Sequence, residues 1–172
     1  MLRMRKDIDW SQHLDAADLT YVMGRVALDG WYPMGVFERL GDVILSQVAG
    51  GQLGMVRMFG RVTVDQLVAD QPFLLAAGDP IETVNRFRGL RATWFDFDAL
   101  QVPTLLEDEC EIAVRYGMGK VAEEAATWQT VGFFERLLEV AGAEDVKPTF
   151  HGKSWLGQGP SSRVRFAWKS RF

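Results

Sequence analysis

The sequence predicts an α+β fold: a helical half, then a four-stranded antiparallel sheet crossed by one long helix. Three observations predict it. Apolar residues recur at three-four spacing as far as about residue 90. Beyond that point the period drops to two in several short segments. One long three-four stripe then interrupts the strands, which gives the order ββαββ. A length of 172 residues suits a single domain over 1–172, with its helical part at about 14–90 and its sheet part at about 93–170.

Asp15 is placed to cap the first helix, in which Leu19, Val22, Met23, Val26 and Ala27 form the apolar stripe. Asp29-Gly30 stops it. Pro33 stands where a first turn tolerates proline, and the second helix carries Val36, Phe37, Leu40, Val43, Ile44 and Val48 on one face before Gly50-Gly51. A third helix spans about Leu53 to Val68, with Gly54 and Gly60 weakening it. A fourth starts after Asp79-Pro80 and reaches about Arg88.

The first strand is expected over Trp94–Leu100 and the second over Glu111–Tyr116, where Ile112, Val114 and Tyr116 alternate with Glu111, Ala113 and Arg115. The long helix is expected over Val121–Ala141, with Val121, Ala125, Trp128, Val131, Phe134, Leu138 and Ala141 as its stripe and Gly142 as its stop. Two strands close the chain, near Val146–Lys153 and Arg163–Lys169. In the last, Val164, Phe166 and Trp168 face one side and Arg163, Arg165 and Lys169 the other. Gly157, Gly159 and Pro160 mark the loop between them.

Composition narrows the function classes. Hydrophobic residues make up 48% and charged residues 24%, which is globular and not disordered. The net charge of −4 comes without clustered Lys and Arg, so no nucleic-acid partner is expected. The basic start Met-Leu-Arg-Met-Arg-Lys leads into Asp7 and Asp9, not into the apolar run of a signal peptide. No apolar run approaches the ~20 residues of a membrane span. Together with a single cysteine, Cys110, these features predict a cytoplasmic protein.

Several motifs appear in part. Gly152-Lys153-Ser154 resembles the end of a phosphate-binding loop, but Lys147 stands where the first glycine belongs and a glycine-rich turn follows instead of a helix. A hairpin loop explains these residues. Asp96 and Asp98 would share a face of the expected first strand, yet two carboxylates are few for an oxygen-rich metal site. Glu107, Asp108, Glu109 and Glu111 around Cys110 read as a solvated turn. His13, His151 and Cys110 lack metal-ligand spacing, and no Gly-x-Ser-x-Gly elbow occurs. No catalytic residue and no metal ligand is therefore assigned, and the chain is read as a non-enzyme.

The order of segments resembles a known family. Met55-Val-Arg-Met-Phe-Gly-Arg-Val-Thr-Val, Pro72-Phe-Leu-Leu and Ile81-Glu-Thr-Val-Asn-Arg-Phe look like the helical part of the heme nitric-oxide/oxygen-binding (H-NOX) sensors. The likeness continues through the strand ending in Tyr116, the helix with Phe133-Phe134-Glu-Arg-Leu-Leu, and the closing strand pair, from about Leu14 to Lys169. Vinyl-reductase-type ligand-binding domains and related uncharacterised myxobacterial proteins are similar too. The resemblance implies a bacterial sensor domain in signal transduction.

Two departures bear on the cofactor. Heme-binding members carry a histidine after the helix corresponding to Ile81–Arg88, and here the region reads Phe87-Arg-Gly-Leu-Arg-Ala-Thr-Trp. Their Tyr-x-Ser-x-Arg motif, which holds the heme propionates, corresponds to Tyr116, Met118 and Lys120; lysine lacks the bidentate fork of arginine. No heme and no other cofactor is therefore expected. The expected function is a heme-free regulatory module that binds a small apolar or anionic ligand. The alternative is an interaction domain with a filled core and a partner protein. A ligand would lie between the helical half and the sheet, with Tyr116 and Lys120 as polar groups and Phe87, Trp94 and Met118 as walls.

Overall fold

The computed structural model describes residues 5–24 and 30–169. Among these, five α-helices precede and interrupt one sheet: α1 (Ala16–Met23), α2 (Met34–Val43), α3 (Leu53–Asp70), α4 (Pro80–Leu90) and α5 (Lys120–Val140). The strands are β1 (Leu100–Leu105), β2 (Glu109–Val114), β3 (Glu144–Gly152) and β4 (Ser162–Lys169), in the order β1-β2-β4-β3 with every pair antiparallel. The α+β class and the ββαββ order match the sequence reading. No helix among the described residues is long and apolar enough to cross a membrane.

The helix starts follow from capping. The Asp15 carboxylate accepts the Asp18 N–H at 2.8 Å, and that of Asp79 accepts the Glu82 N–H at 2.8 Å, each satisfying an orphan donor of the first turn. Pro33 stands just before α2. That helix widens into a π turn over Ile44–Val48 before Gly50 and Gly51, both at positive φ, end it. Val26, Ala27 and Asp29 lie outside the described residues.

Three expectations are corrected. The segment Trp94–Leu100 is not a strand; β1 begins at Leu100. Trp94 packs on Phe87 and Phe133, and Phe95 packs on Tyr116, so two successive side chains face the core. A strand would send them to opposite sides. Asp96 and Asp98 are consequently exposed loop residues, not a carboxylate pair on a strand. Second, α3 runs through Gly60 to Asp70, past the expected end at Val68, and Gly60 lies at its crossing with α5. Third, Val121 is not on the buried stripe of α5 but 62% exposed.

The main core lies between the inner face of the sheet, α4 and α5. Ile112, Val114, Val164 and Phe166 alternate inward from the strands to meet Phe87, Phe134, Leu137 and Leu138. Their outward neighbours on β4, Arg163 and Arg165, pair with Glu111 and Glu109 of β2. At the β1 edge, Arg88 of α4 donates to the Val102 carbonyl at 3.1 Å, and Arg91 donates to that of Leu100.

Candidate functional site

α5 runs through the middle of the fold and is buried on most sides, so its polar residues must find partners inside. Thr127 donates to the Glu123 carbonyl at 2.7 Å and Thr130 to that of Ala126 at 2.9 Å. The Arg57–Glu135 and Arg61–Glu139 pairs tie α5 to α3. Glu123, 4% exposed, turns back on the loop ahead of its helix. One of its oxygens accepts the Tyr116 N–H at 2.9 Å and the other the Met118 N–H at 3.0 Å. Gly117, at φ 75°, lets the loop curl so that both N–H groups reach one carboxylate.

This loop aims Tyr116 inward. Its hydroxyl lies 2.7 Å from Thr130 Oγ1. Thr130 already gives its proton to Ala126, so Tyr116 is the donor. Burial pushes the Tyr116 hydroxyl up to about 12, which keeps its proton in place.

Beside this pair lies a gap of about 140 Å³. Phe37, Phe87, Trp94, Phe95, Tyr116 and Phe133 wall it with rings, and Gly60, Thr63, Leu100, Ala126, Gln129 and Thr130 complete it. A second gap of about 220 Å³ adjoins it between α2 and α5, sharing Phe37, Ala126 and Gln129. Its walls are aliphatic: Leu40, Ile44, Val56, Met118, Ala122 and Ala125. Together they reach the lower end of the roughly 300–1,000 Å³ that small-molecule sites span.

The sequence-predicted residues therefore divide. Phe87, Trp94 and Tyr116 line one gap, and Met118 lines its neighbour. Lys120 faces neither. It opens α5 on the surface and lines a third, more open cleft with Arg115, Gly117, Ser154 and Trp155, which shares Met118 with the second gap. Phe37, Phe95, Phe133, Gln129, Thr130 and Glu123 escape sequence reading. The available signal was Thr130, a polar residue four positions from both Ala126 and Phe134 on an otherwise apolar face.

The residues facing the gaps do not fit a heme. Neither His13 nor His151 lines them, and His151 lies on the outer side of the sheet, with Nδ1 3.5 Å from the Glu111 carboxylate. Tyr116 offers an oxygen, but a protonated one already bonded to Thr130. Among the described residues no three His, Cys, Asp or Glu side chains are grouped to hold a metal ion.

No protein-family model matches the sequence, and no curated protein matches it. Solved structures do resemble the fold. An iron(II), unliganded point mutant of the K. algicida H-NOX protein superposes with a TM-score of 0.61 at 11% identity, covering 95% of this chain and 92% of that one. An H-NOX family structure concerned with heme distortion gives 0.61 at 15%, covering 98% and 90%. A point mutant of the T. tengcongensis H-NOX gives 0.58 at 16%, covering 99% and 95%. The chain has an H-NOX-like fold over nearly its whole length.

Proposed function

We propose that this domain is a non-enzymatic sensory module that works without heme and responds to a small apolar molecule held between its helical half and its sheet. The observation that carries this reading is the ring-walled gap beside Tyr116 and Thr130, with an aliphatic gap that shares Phe37, Ala126 and Gln129 with it. Apolar walls with a few convergent polar groups are the usual make-up of a small-molecule site. The titratable side chains facing the two gaps are Tyr116 and Glu38. Tyr116 keeps its proton, and Glu38 accepts the Gly119 N–H at 2.7 Å, so neither stands free as an acid-base pair. With Lys120 turned to another cleft, the apolar alternative is favoured over the anionic one. The absence of a histidine in the donor set supports the heme-free reading.

The test combines an absorption spectrum and a native mass of the purified chain with calorimetric titration of small alkylbenzenes. The expected results are no Soret band, saturable binding and unchanged binding in Lys120→Ala. A Soret band at one heme per chain would overturn the heme-free part. No binding of any probe would overturn the ligand part. A second reading, an interaction domain, draws on the exposed α3 stripe of Met55, Met58 and Val62. It would be favoured if the native mass showed assembly and no probe bound.

A further inference from the structure

The two gaps meet at Gln129. This residue lines both, its backbone carbonyl set against Gly60, and among the described residues its side-chain amide makes no hydrogen bond. The other polar groups of the walls are engaged: Tyr116 with Thr130, Thr130 with the Ala126 carbonyl, Thr63 with the Phe59 carbonyl at 2.9 Å, and Glu38 with the Gly119 N–H. The amide of a residue shared by a ring-walled space and an aliphatic one has a donor and an acceptor to offer at the junction.

We infer that Gln129 sets the ligand class of this site: a neutral molecule with a ring for the first gap, a short aliphatic arm for the second, and one carbonyl or hydroxyl between them. The inference rests on the ligand-binding reading above and deepens it. Charge is disfavoured, because no cation lines either gap and the one carboxylate, Glu38, is already bonded. The first gap is close to the ~150 Å³ of an engineered apolar cavity that accepts benzene. The second is larger and walled by flexible aliphatic chains, which suits an alkyl arm.

The experiment compares butyrophenone with butylbenzene, two molecules of one shape that differ by a carbonyl at the junction. Affinities are measured by calorimetry on the native chain and normalised to each probe's water-to-alkane transfer. The native chain is expected to prefer the ketone by about fivefold or more, the worth of one ordinary hydrogen bond. Gln129→Met, of similar volume, is expected to lose that preference, and Gln129→Leu to lose it likewise. Ile44→Trp, which fills the aliphatic gap, is expected to weaken butyrophenone by about fivefold or more, as burial of its extra methylenes is lost, and to leave acetophenone unchanged. Equal normalised affinities on the native chain, or a preference that survives in a folded Gln129 variant, would overturn the role of Gln129 while leaving the ligand site standing. Equal losses of both ketones in Ile44→Trp would overturn the two-gap placement. Binding of neither probe would remove the ligand reading and this inference with it.

Discussion

Gly60 of α3 and Gly132 of α5 each lie against the other helix's backbone, at the point where the two helices cross. A β-carbon on Gly60 would overlap the Gln129 carbonyl oxygen and stand 2.9 Å from the Phe133 nitrogen. One on Gly132 would overlap the Arg57 carbonyl oxygen and stand 2.7 Å from its carbon. Neither neighbour can yield as a flexible side chain would. Gly60→Ala and Gly132→Ala are each expected to cost at least about 2 kcal/mol, although alanine is the better helix former. Gly54→Ala, with open space around it, is expected to be neutral or mildly stabilising. Urea unfolding of the three variants checks the contrast; equal stabilities would refute the crossing as the cause.

Glu123 holds two backbone donors. Replacing it by alanine leaves the Tyr116 and Met118 N–H groups without their acceptor, at a cost of about 1–3 kcal/mol for each one that finds no water. Glu123→Gln keeps one acceptor oxygen and is expected to fall between. Denaturant midpoints give the order, and amide exchange at Tyr116 and Met118 should speed up in Glu123→Ala.

The Tyr116–Thr130 bond is asymmetric. Tyr116→Phe leaves an unfilled acceptor site on Thr130, which still donates to Ala126. Thr130→Val strands a buried hydroxyl proton on Tyr116. The valine variant is expected to lose about 1–3 kcal/mol and the phenylalanine variant about 1 kcal/mol. A larger loss in Tyr116→Phe would mean that the donor has been assigned the wrong way round.

Alkaline pH should weaken the fold from its interior. Burial raises the Cys110 thiol from 9.0 to about 12 and the Tyr116 hydroxyl from 10.0 to about 12. Both are neutral when protonated, so the unfolded chain ionises first. Their stabilising effect is whole below pH 9 and is lost as pH rises through 9 to 12. Melting temperature is expected to fall steadily across that window, and less steeply in Cys110→Ala. The native thiol should also resist a disulfide reagent at pH 8 and react once the chain is unfolded, since it is fully buried.

What the sequence made legible was whatever leaves a local mark. The Asp15 and Asp79 caps, the alternation of Val164, Phe166 and Trp168, and the stop at Gly142 each express one element's own chemistry. Contacts between distant segments left no such mark. Gly60 looks like a helix weakener until Gly132 is seen against the same crossing. Trp94 and Phe95 read as β-formers, whereas rings from α4 and α5 on one side and Tyr116 on the other draw both inward. For the site, Tyr116 is named through its place in the H-NOX motif, and Phe87 and Trp94 through the segment where that family carries its histidine; the three line one gap. Lys120 is named because it stands where that motif has arginine, whereas it lines another cleft. Gln129 and Thr130 passed unnoticed because a search for apolar periodicity discards polar residues.

The arginines on the β1 edge bear on how many copies of this chain can share one sheet. An incoming strand would need the outward carbonyls of Leu100 and Val102 as its first ladder partners, and Arg91 and Arg88 already hold them with charged donors. At the opposite margin, Pro148 interrupts the donors that β3 could offer. Sheet-to-sheet polymerisation is thus resisted at both ends: by the helix-borne arginines and Pro103 at β1, and by Pro148 at β3. Blocked margins of this kind oppose the strand-by-strand addition from which fibres grow.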